Sequence, residues 1–123
     1  MYINLIKKFF AMMSAVIIIC SLNFCEASKK VIDEFNLRGL VVTRSAKGLT
    51  LIDGEKISHI KARAQEVFDV SGAGDTVIAV FALALAGNLD SEVAAYLANV
   101  AAGVVVAKVG TYALNHEELL NAL

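Results

Sequence analysis

Two long runs of apolar residues, 76–86 and 93–109, constrain the fold of this chain more than any other feature of its sequence. Helices that are apolar on nearly every side are buried in a large core or in a membrane. Neither run reaches the ~18 uninterrupted apolar residues of a spanning helix, because polar residues separate the runs and Asn99 interrupts the second. We therefore expect two core helices joined by a short turn, with Asp90 or Ser91 capping the second.

The rest of the chain predicts shorter elements. Residues 28–37 have the apolar periodicity of an amphipathic helix, and the β-branched sequence LVVTR after Gly39 predicts a buried strand. The sequence KGLTLIDGEKISHI predicts a hairpin in which Asp53 and Gly54 form a type I′ turn. Near the C-terminus, Asn115 is expected to cap a last helix.

These elements indicate an α/β domain in which a small sheet packs against buried helices. A sheet of so few strands cannot cover both faces of two such apolar helices. Either other chains supply the missing layers, or the sequence is a piece of a larger fold. A net charge of −1 gives no indication of a nucleic-acid-binding surface. The two cysteines, Cys20 and Cys25, form neither a disulfide framework nor a metal-ligand pattern.

The first 27 residues have the layout of a secretory signal peptide, with Lys7 and Lys8 before an uncharged stretch and a small residue, Ala27, at the exit. The uncharged stretch is slightly short of the ~20 apolar residues that span a membrane. An uncleaved membrane anchor is therefore a second interpretation, and contact with a membrane is expected only in that case. A third is translated sequence without a targeting role, joined to a truncated gene.

The sequence DVSGAGD, at residues 69–75, suggests a site for phosphoryl transfer. Gly72 and Gly74 allow the backbone to bend tightly and to approach a ligand, and the unpaired N–H groups at a helix start attract anions. Asp75 at the same helix start would accept a proton from an incoming hydroxyl, which suits phosphoryl transfer. The alternative is an ordinary helix start with Asp75 as a first-turn acid. No Lys-Ser or Lys-Thr follows the glycines, so the pattern is not a P-loop.

The sequence DVSGAGDTVIAV resembles the C-terminal motif of the ribokinase-like (PfkB-type) carbohydrate kinases, Asp-Thr-x-Gly-Ala-Gly-Asp, although Val70 stands in place of the usual Thr. VVTRSAKGLTLIDG is similar to the strand and nucleotide loop of that family, and LANVAAGVVVAKVGT to its later helix and turn. The resemblance covers residues 28–123. Within the family, the sequence is most similar to the heptose 7-phosphate kinases. It implies that these residues form the C-terminal part of a ribokinase-like kinase, which uses ATP with Mg²⁺. It also implies a K⁺ site at a loop near the DVSGAGD sequence.

The resemblance also implies roles for particular residues. The general base that deprotonates the sugar hydroxyl is Asp75. The anion hole around the transferred phosphoryl group is formed by Gly72, Ala73 and Gly74. The nucleotide contacts are Thr43 and Gly48 beside the phosphates and Asn99 in the adenine pocket. The monovalent-cation loop is formed by Asp69, Ser71, Val109 and Gly110.

Each of these residues also has a simpler interpretation. Thr43 ends a strand and Gly48 lies in a turn without any ligand. Asn99 satisfies a neighbouring backbone group. Asp69 is a loop acid paired with Arg63 or Lys61.

The sugar-binding part of the family has no counterpart in residues 1–27. Because orientation of the acceptor supplies much of the rate, we expect residues 28–123 to be inactive alone. A secretory leader would also take the domain away from ATP, so the preferred interpretation is a cytoplasmic kinase fragment whose leader arose separately. The alternatives are a small exported or membrane-anchored protein without enzymatic activity, and one half of a split kinase that a separate N-terminal half completes.

Overall fold

A three-stranded antiparallel sheet separates one short helix from a pair of long helices in the computed structural model, which describes residues 24–63 and 66–123. The strands are β1 (Gly39–Thr43), β2 (Leu49–Asp53) and β3 (Lys56–Ile60), in that order across the sheet. The helices are α1 (Phe24–Phe35), α2 (Ala73–Ala86), α3 (Ser91–Val106) and α4 (His116–Ala122). This arrangement confirms the predicted α/β class.

The two faces of the sheet pack against different helices, because successive side chains of a strand point in opposite directions. Val41 and Leu51 face the core that includes Phe81 of α2 and Ala98 of α3. The other face carries a second cluster, in which residues of α1 pack against β1 and β2. The members of this cluster are Leu40, Val42 and Ile52, with Phe24, Val31, Ile32 and Leu37 packed against them.

The hairpin between β2 and β3 has a different turn from the one predicted. Asp53 pairs with Lys56, so the two loop residues are Gly54 and Glu55 rather than Asp53 and Gly54. Gly54 has a φ of +60°, whereas Glu55 is absent from the described residues with positive φ. A type I′ turn needs positive φ at both loop positions, so this turn follows the type II′ pattern, and the prediction was wrong. Asp53 instead closes β2, and its carboxylate accepts a hydrogen bond from the Ser91 hydroxyl at 2.6 Å.

Helices α2 and α3 pack closely because alanines line their contact with each other and with the sheet. Ala94, Ala95 and Ala98 of α3 are fully buried. Asp90 caps α3, since its carboxylate accepts from the Glu92 amide at 2.9 Å. The outward side of α2 is exposed, and Leu83 retains 74% of its accessible surface. The sheet therefore covers one side of the helix pair and leaves the other to solvent.

Helix α1 begins four residues before the predicted start at residue 28. Ser28 is fully buried and its hydroxyl donates to the Phe24 carbonyl at 2.7 Å, so residues assigned to the leader are part of this helix. The helix ends at Phe35, because Asn36 adopts a φ of +49° and the Leu37 amide donates back to the Ile32 carbonyl.

Residues 1–23 of the predicted leader, with Cys20, lie outside the described residues. Among the helices of the described ranges, none combines the length and the apolar character that a membrane crossing requires. The predicted cap of the last helix is confirmed: Asn115 accepts from the Glu118 amide, and the Glu118 carboxylate accepts from the Asn115 amide.

Candidate active site

An open groove with a volume of about 410 Å³ lies between the loop after β1, the segment after β3 and the facing sides of α2 and α3. The structure brings five of the predicted site residues to this groove: Thr43, Gly48, Ala73, Gly74 and Asn99. Much of the remaining wall is apolar and includes Leu49, Val67, Val70, Val77, Ala102 and Val106. The groove thus joins the predicted nucleotide contacts to the start of α2.

The loop after β1 turns sharply around Gly48. The Gly48 carbonyl accepts from the Arg44 amide at 2.7 Å, and the Gly48 amide donates to the Ser45 carbonyl at 2.9 Å. Gly48 has a φ of +87°, and a Cβ atom at this position would lie 2.0 Å from the Ile60 carbonyl oxygen. Only glycine fits this close approach to the end of β3, which fixes the shape of the loop beside the groove.

The glycine loop, residues 70–74, presents backbone N–H groups at the start of α2. Gly72 precedes the helix with a φ of +78°, and its carbonyl accepts from both the amide and the hydroxyl of Thr76. The Ala73 amide donates to the Val70 carbonyl at 3.2 Å, so of the three residues predicted to form the anion hole it is the one whose amide already has a partner. In the described part of the chain, no acceptor contacts the amides of Gly72, Gly74 and Asp75. These three N–H groups, together with the positive end of α2, can receive an anion.

Asp75 lies in the first turn of α2 with an exposed side chain. It does not line the groove itself, and none of the described lysine, arginine or histidine side chains forms an ion pair with it. A Cβ atom added at Gly74 would meet nothing within 4 Å, so the space beside the start of α2 is open. The carboxylate is therefore available to a ligand that approaches the free amides.

Asp69 connects the glycine loop to the turn after α3. One carboxylate oxygen accepts from the Ser71 amide at 2.8 Å, and the other accepts from the Gly110 amide at 3.1 Å. The Ser71 hydroxyl and amide, with the Gly110 amide, hold the pKa of the Asp69 carboxyl below its ordinary value. The alternative in which Asp69 pairs with Arg63 or Lys61 was wrong, because no ion pair of the described residues involves Asp69. The Arg63 guanidinium donates instead to the hydroxyl of Tyr96 on α3.

The structure brings three of the four residues of the predicted cation loop together: Asp69, Ser71 and Gly110. The side chain of the fourth, Val109, retains 85% of its accessible surface and contributes no polar group. Among the described residues, no group of three or more His, Cys, Asp or Glu side chains is placed to hold a metal ion.

Helix α4 holds the turn after α3 in place. The Glu118 carboxylate accepts from the Tyr112 hydroxyl at 2.8 Å and lies 3.3 Å from the Lys108 ammonium. The Tyr112 hydroxyl and the Asn115 amide keep the pKa of Glu118 below its ordinary value, and Glu118 raises the pKa of Tyr112. These contacts anchor both ends of the segment whose Gly110 amide reaches Asp69.

Asn99 is 5% exposed on α3, and its Nδ2 donates to the Lys61 carbonyl at 2.8 Å. The simpler interpretation, in which Asn99 satisfies a backbone group, is therefore correct. The same side chain also lines the groove.

The sequence analysis missed several groove residues: Ser45, Ala46, Ala62, Arg63, Ala102 and Gly103. Ala102 and Gly103 follow Asn99 at the three- and four-residue spacing that places side chains on one helix face, and this spacing would have identified them. Ser45 and Ala46 belong to a short 3₁₀ turn, Ser45–Lys47, in which Ser45 has a φ of +52°. None of the three residues of this turn is a glycine or an asparagine, the residue types in which positive φ is most common.

Comparisons with known proteins cover most of the chain. Residues 23–118 match the family described as "pfkB family carbohydrate kinase". The bifunctional protein HldE of Actinobacillus succinogenes is 50% identical over 99 residues, which are 80% of this chain and 21% of that protein. The bifunctional protein HldE of Mesorhizobium japonicum is 52% identical over 97 residues, or 79% of this chain and 20% of that protein. The chain thus spans about a fifth of the length of these curated relatives.

Solved structures have the same fold over a similar range. Ribokinase from Thermotoga maritima matches with a TM-score of 0.74 and 24% identity, over 79% of this chain and 33% of that one. Ribokinase from Arabidopsis thaliana, solved with ribose and ATP, matches with a TM-score of 0.72 and 29% identity, over 79% of this chain and 32% of that one. The matched part corresponds to about a third of each solved chain.

Proposed function

This chain belongs to the pfkB family of carbohydrate kinases, and we propose that it forms the nucleotide-binding and catalytic-base part of a heptose 7-phosphate kinase. The reaction would transfer the γ-phosphoryl group of ATP to a sugar hydroxyl. The observation that carries the proposal is that the groove ends at Ala73 and Gly74, at the start of α2, where amides are unpaired and the first turn carries the exposed carboxylate of Asp75. The choice of heptose is supported by the 50–52% identity to the bifunctional HldE proteins.

The proposed transfer uses the start of α2 in two ways. The amides of Gly72, Gly74 and Asp75 and the positive end of the helix would stabilise charge on the migrating phosphoryl group. The Asp75 carboxylate would take the proton of the acceptor hydroxyl. The acceptor oxygen then bonds to the γ-phosphorus, the bond from that phosphorus to the bridging oxygen breaks, and ADP leaves.

The described side chains do not by themselves form a site for either cation of the family. The described residues hold no cluster of acidic or histidine ligands, so Mg²⁺ would arrive with ATP, where it neutralises phosphate charge. For K⁺, each carboxylate oxygen of Asp69 accepts one N–H donor and keeps a further lone pair, so a cation at this loop would share Asp69 with these amides and would need backbone carbonyls for its other ligands. We therefore derive no step through either ion.

The sugar pocket is a further requirement that the described residues do not meet. The chain covers about a fifth of its curated relatives, and Leu83 on the outward side of α2 is 74% exposed. Acceptor orientation makes a large contribution to such reactions. We propose that residues 28–123 are inactive alone, and that activity in the cytoplasm, where ATP is available, requires the sugar-binding part of the kinase.

Complementation tests this proposal. The chain is co-expressed with a polypeptide that carries the upstream part of the kinase region of an HldE protein, and phosphorylation of heptose 7-phosphate is measured. We expect activity from the pair, none from either part alone, and a loss of at least about a hundredfold with Asp75→Asn. The matched control is Asp33→Asn, the same change at an exposed position of α1, which should leave activity unchanged. Full activity with Asp75→Asn would reject the proposed base.

A further inference from the structure

The segment between α3 and α4 has few backbone contacts. Within the described part of the chain, residues 109–114 form no hydrogen bond with another backbone group. Gly110, which adopts a φ of +75°, donates its amide to the Asp69 carboxylate instead. A stretch of backbone outside helices and strands is ordered mainly by the contacts of its side chains. The position of Gly110 therefore depends on the side chains on either side of it.

Glu118 of α4 contacts the chain on both sides of Gly110. Its Oε1 atom accepts from the Tyr112 hydroxyl at 2.8 Å and lies 3.3 Å from the Lys108 ammonium. The Lys108 ammonium also lies 5.1 Å from the centre of the Tyr112 ring. In the sequence, Lys108 precedes Gly110 by two residues and Tyr112 follows it by two. One carboxylate thus joins the two flanks of Gly110 to a separate helix.

The two carboxylate oxygens of Glu118 have different partners. Oε2 accepts from the Asn115 amide at 3.2 Å, which completes the cap of α4. The described partners of Oε1, Lys108 and Tyr112, both precede this helix. The hydrogen bond from Tyr112 is strengthened by the charge of the carboxylate, whereas the ion pair with Lys108 is partly exposed and weakened by water. The Tyr112 hydroxyl is therefore the main link between Glu118 and the segment.

Gly110 connects this segment to the glycine loop. One oxygen of the Asp69 carboxylate accepts from the Gly110 amide at 3.1 Å, and the other accepts from the Ser71 amide at 2.8 Å. A Cβ atom at Gly72 would lie 3.6 Å from a methyl group of Thr111, so the two loops also lie against each other. A shift of Gly110 would free one side of the Asp69 carboxylate to rotate, and the Ser71 amide would lose its fixed acceptor.

We infer that Glu118 is a positioning residue for the proposed phosphoryl transfer: it holds Gly110 in place, and Gly110 holds the glycine loop through Asp69. This role depends on the proposed function, because the free amides of the glycine loop are the groups that it keeps in position. Glu118 does not line the groove, so it acts only through these contacts. The alternative is that Glu118 does no more than cap α4. The two roles differ in their consequences, because a cap affects α4 whereas a positioning residue affects amides outside it.

Hydrogen exchange of the whole chain, measured without nucleotide, distinguishes the two roles. Tyr112→Phe removes the hydroxyl that Glu118 accepts and leaves the cap of α4 intact. We expect exchange at the Gly110 and Ser71 amides to become at least about fivefold faster, with exchange in α4 and in the sheet unchanged. Glu118→Ala should have a larger effect at the same two amides. Glu117→Ala, the same change at an exposed neighbour on α4, should have none.

ATP binding tests whether the effect of Glu118 passes through Asp69. Glu118→Ala should weaken ATP binding about three- to tenfold by itself, and less than about 1.5-fold in a chain that already carries Asp69→Asn. Changes that act through one contact are not additive, whereas a general loss of stability would weaken binding by the same factor in both chains. In the complemented kinase, Glu118→Ala should lower kcat and leave the KM for the sugar unchanged, because the sugar-binding part is unaltered.

The outcomes distinguish the positioning role from the function on which it depends. If neither Tyr112→Phe nor Glu118→Ala changes exchange at Gly110 and Ser71, the inference is wrong and the nucleotide site stands. Additive effects of Glu118→Ala and Asp69→Asn on ATP binding would overturn it in the same way. If the unaltered chain binds no ATP, the proposed function fails and the positioning role fails with it. If Glu118→Ala does not fold, exchange in Tyr112→Phe decides.

Discussion

The Gly110 amide donates to the Asp69 carboxylate at 3.1 Å and so joins two loops that are 41 residues apart in the sequence. The other oxygen of the same carboxylate holds the Ser71 amide, one residue before the glycine loop turns. The two loops also touch beyond this bond, because a Cβ atom at Gly72 would lie 3.6 Å from a methyl group of Thr111. Asp69 therefore positions the glycine loop against the turn after α3.

Asp69→Asn should loosen the glycine loop without unfolding the chain. The amide replaces one of the two accepting oxygens by an NH₂ group, which faces an N–H donor and cannot accept from it. We expect faster hydrogen exchange at the Ser71 and Gly110 amides, and several-fold weaker ATP binding, while exchange in the sheet stays slow. Asp33→Asn is the matched control, and unchanged exchange at Gly110 in the Asp69 variant would contradict the positioning role.

Acid should have the same effect on this contact as the substitution. The Ser71 hydroxyl and amide, with the Gly110 amide, lower the pKa of Asp69 in the folded chain. A lowered carboxyl pKa contributes stability that is fully present above the unfolded value of about 3.9 and is lost as the pH falls through the folded value. The difference in unfolding free energy between the unaltered chain and Asp69→Asn should therefore be constant from pH 7 to about pH 5 and shrink below about pH 4. Denaturant titrations across this range measure it, and a difference that grows toward low pH would refute the assignment.

Gly48→Ala should be far more destabilising than Gly54→Ala. Both glycines have positive φ, but a Cβ atom at Gly48 would lie 2.0 Å from a carbonyl oxygen of β3, whereas one at Gly54 would meet nothing within 4 Å. The backbone strain at Gly48 alone is about 1–3 kcal/mol, and the clash adds to it. Gly54→Ala should cost only the backbone strain, about 1–3 kcal/mol, because no clash is added there. Denaturant unfolding compares the two variants, and equal losses would show that the close approach at Gly48 is relieved at little cost.

The sequence predicted the elements of this fold better than the contacts between them. Each helix and strand of the described ranges corresponds to a predicted segment, because apolar periodicity and caps such as Asp90 and Asn115 are local properties. The predicted type of the hairpin turn was wrong. An Asp-Gly sequence is compatible with two different turns, and only the pairing of Asp53 with Lys56 distinguishes them. The bond between Asp69 and Gly110 could not be derived from the residues alone, because it depends on how α3 returns the chain to the glycine loop.

The residues of the groove likewise differ in how far the sequence alone could predict them. The glycine loop was found from its own chemistry, since glycines before a helix with an acid in its first turn expose amides wherever they occur. Asn99 was open to two interpretations, and the structure shows that its amide satisfies a backbone group, the Lys61 carbonyl, while its contact with a nucleotide stays a prediction. A sequence cannot assign the two ends of an amide, which requires the position of the neighbouring carbonyl.

Gly74→Ala should stabilise the fold and at the same time weaken ATP binding. Gly74 lies inside α2, its φ is not positive, and an added methyl group would meet nothing within 4 Å, so alanine should raise the unfolding free energy by up to about 1 kcal/mol. The same methyl group would occupy the open space beside the free amides, where the phosphates of ATP are proposed to bind. We expect ATP binding to weaken at least about tenfold, and the protection that ATP gives to the amides of Gly72 and Asp75 from hydrogen exchange to be lost. Ala86→Gly at the far end of the same helix is the control, with the opposite effect on stability and none on binding. If Gly74→Ala bound ATP as tightly as the unaltered chain, phosphate would not contact the start of α2.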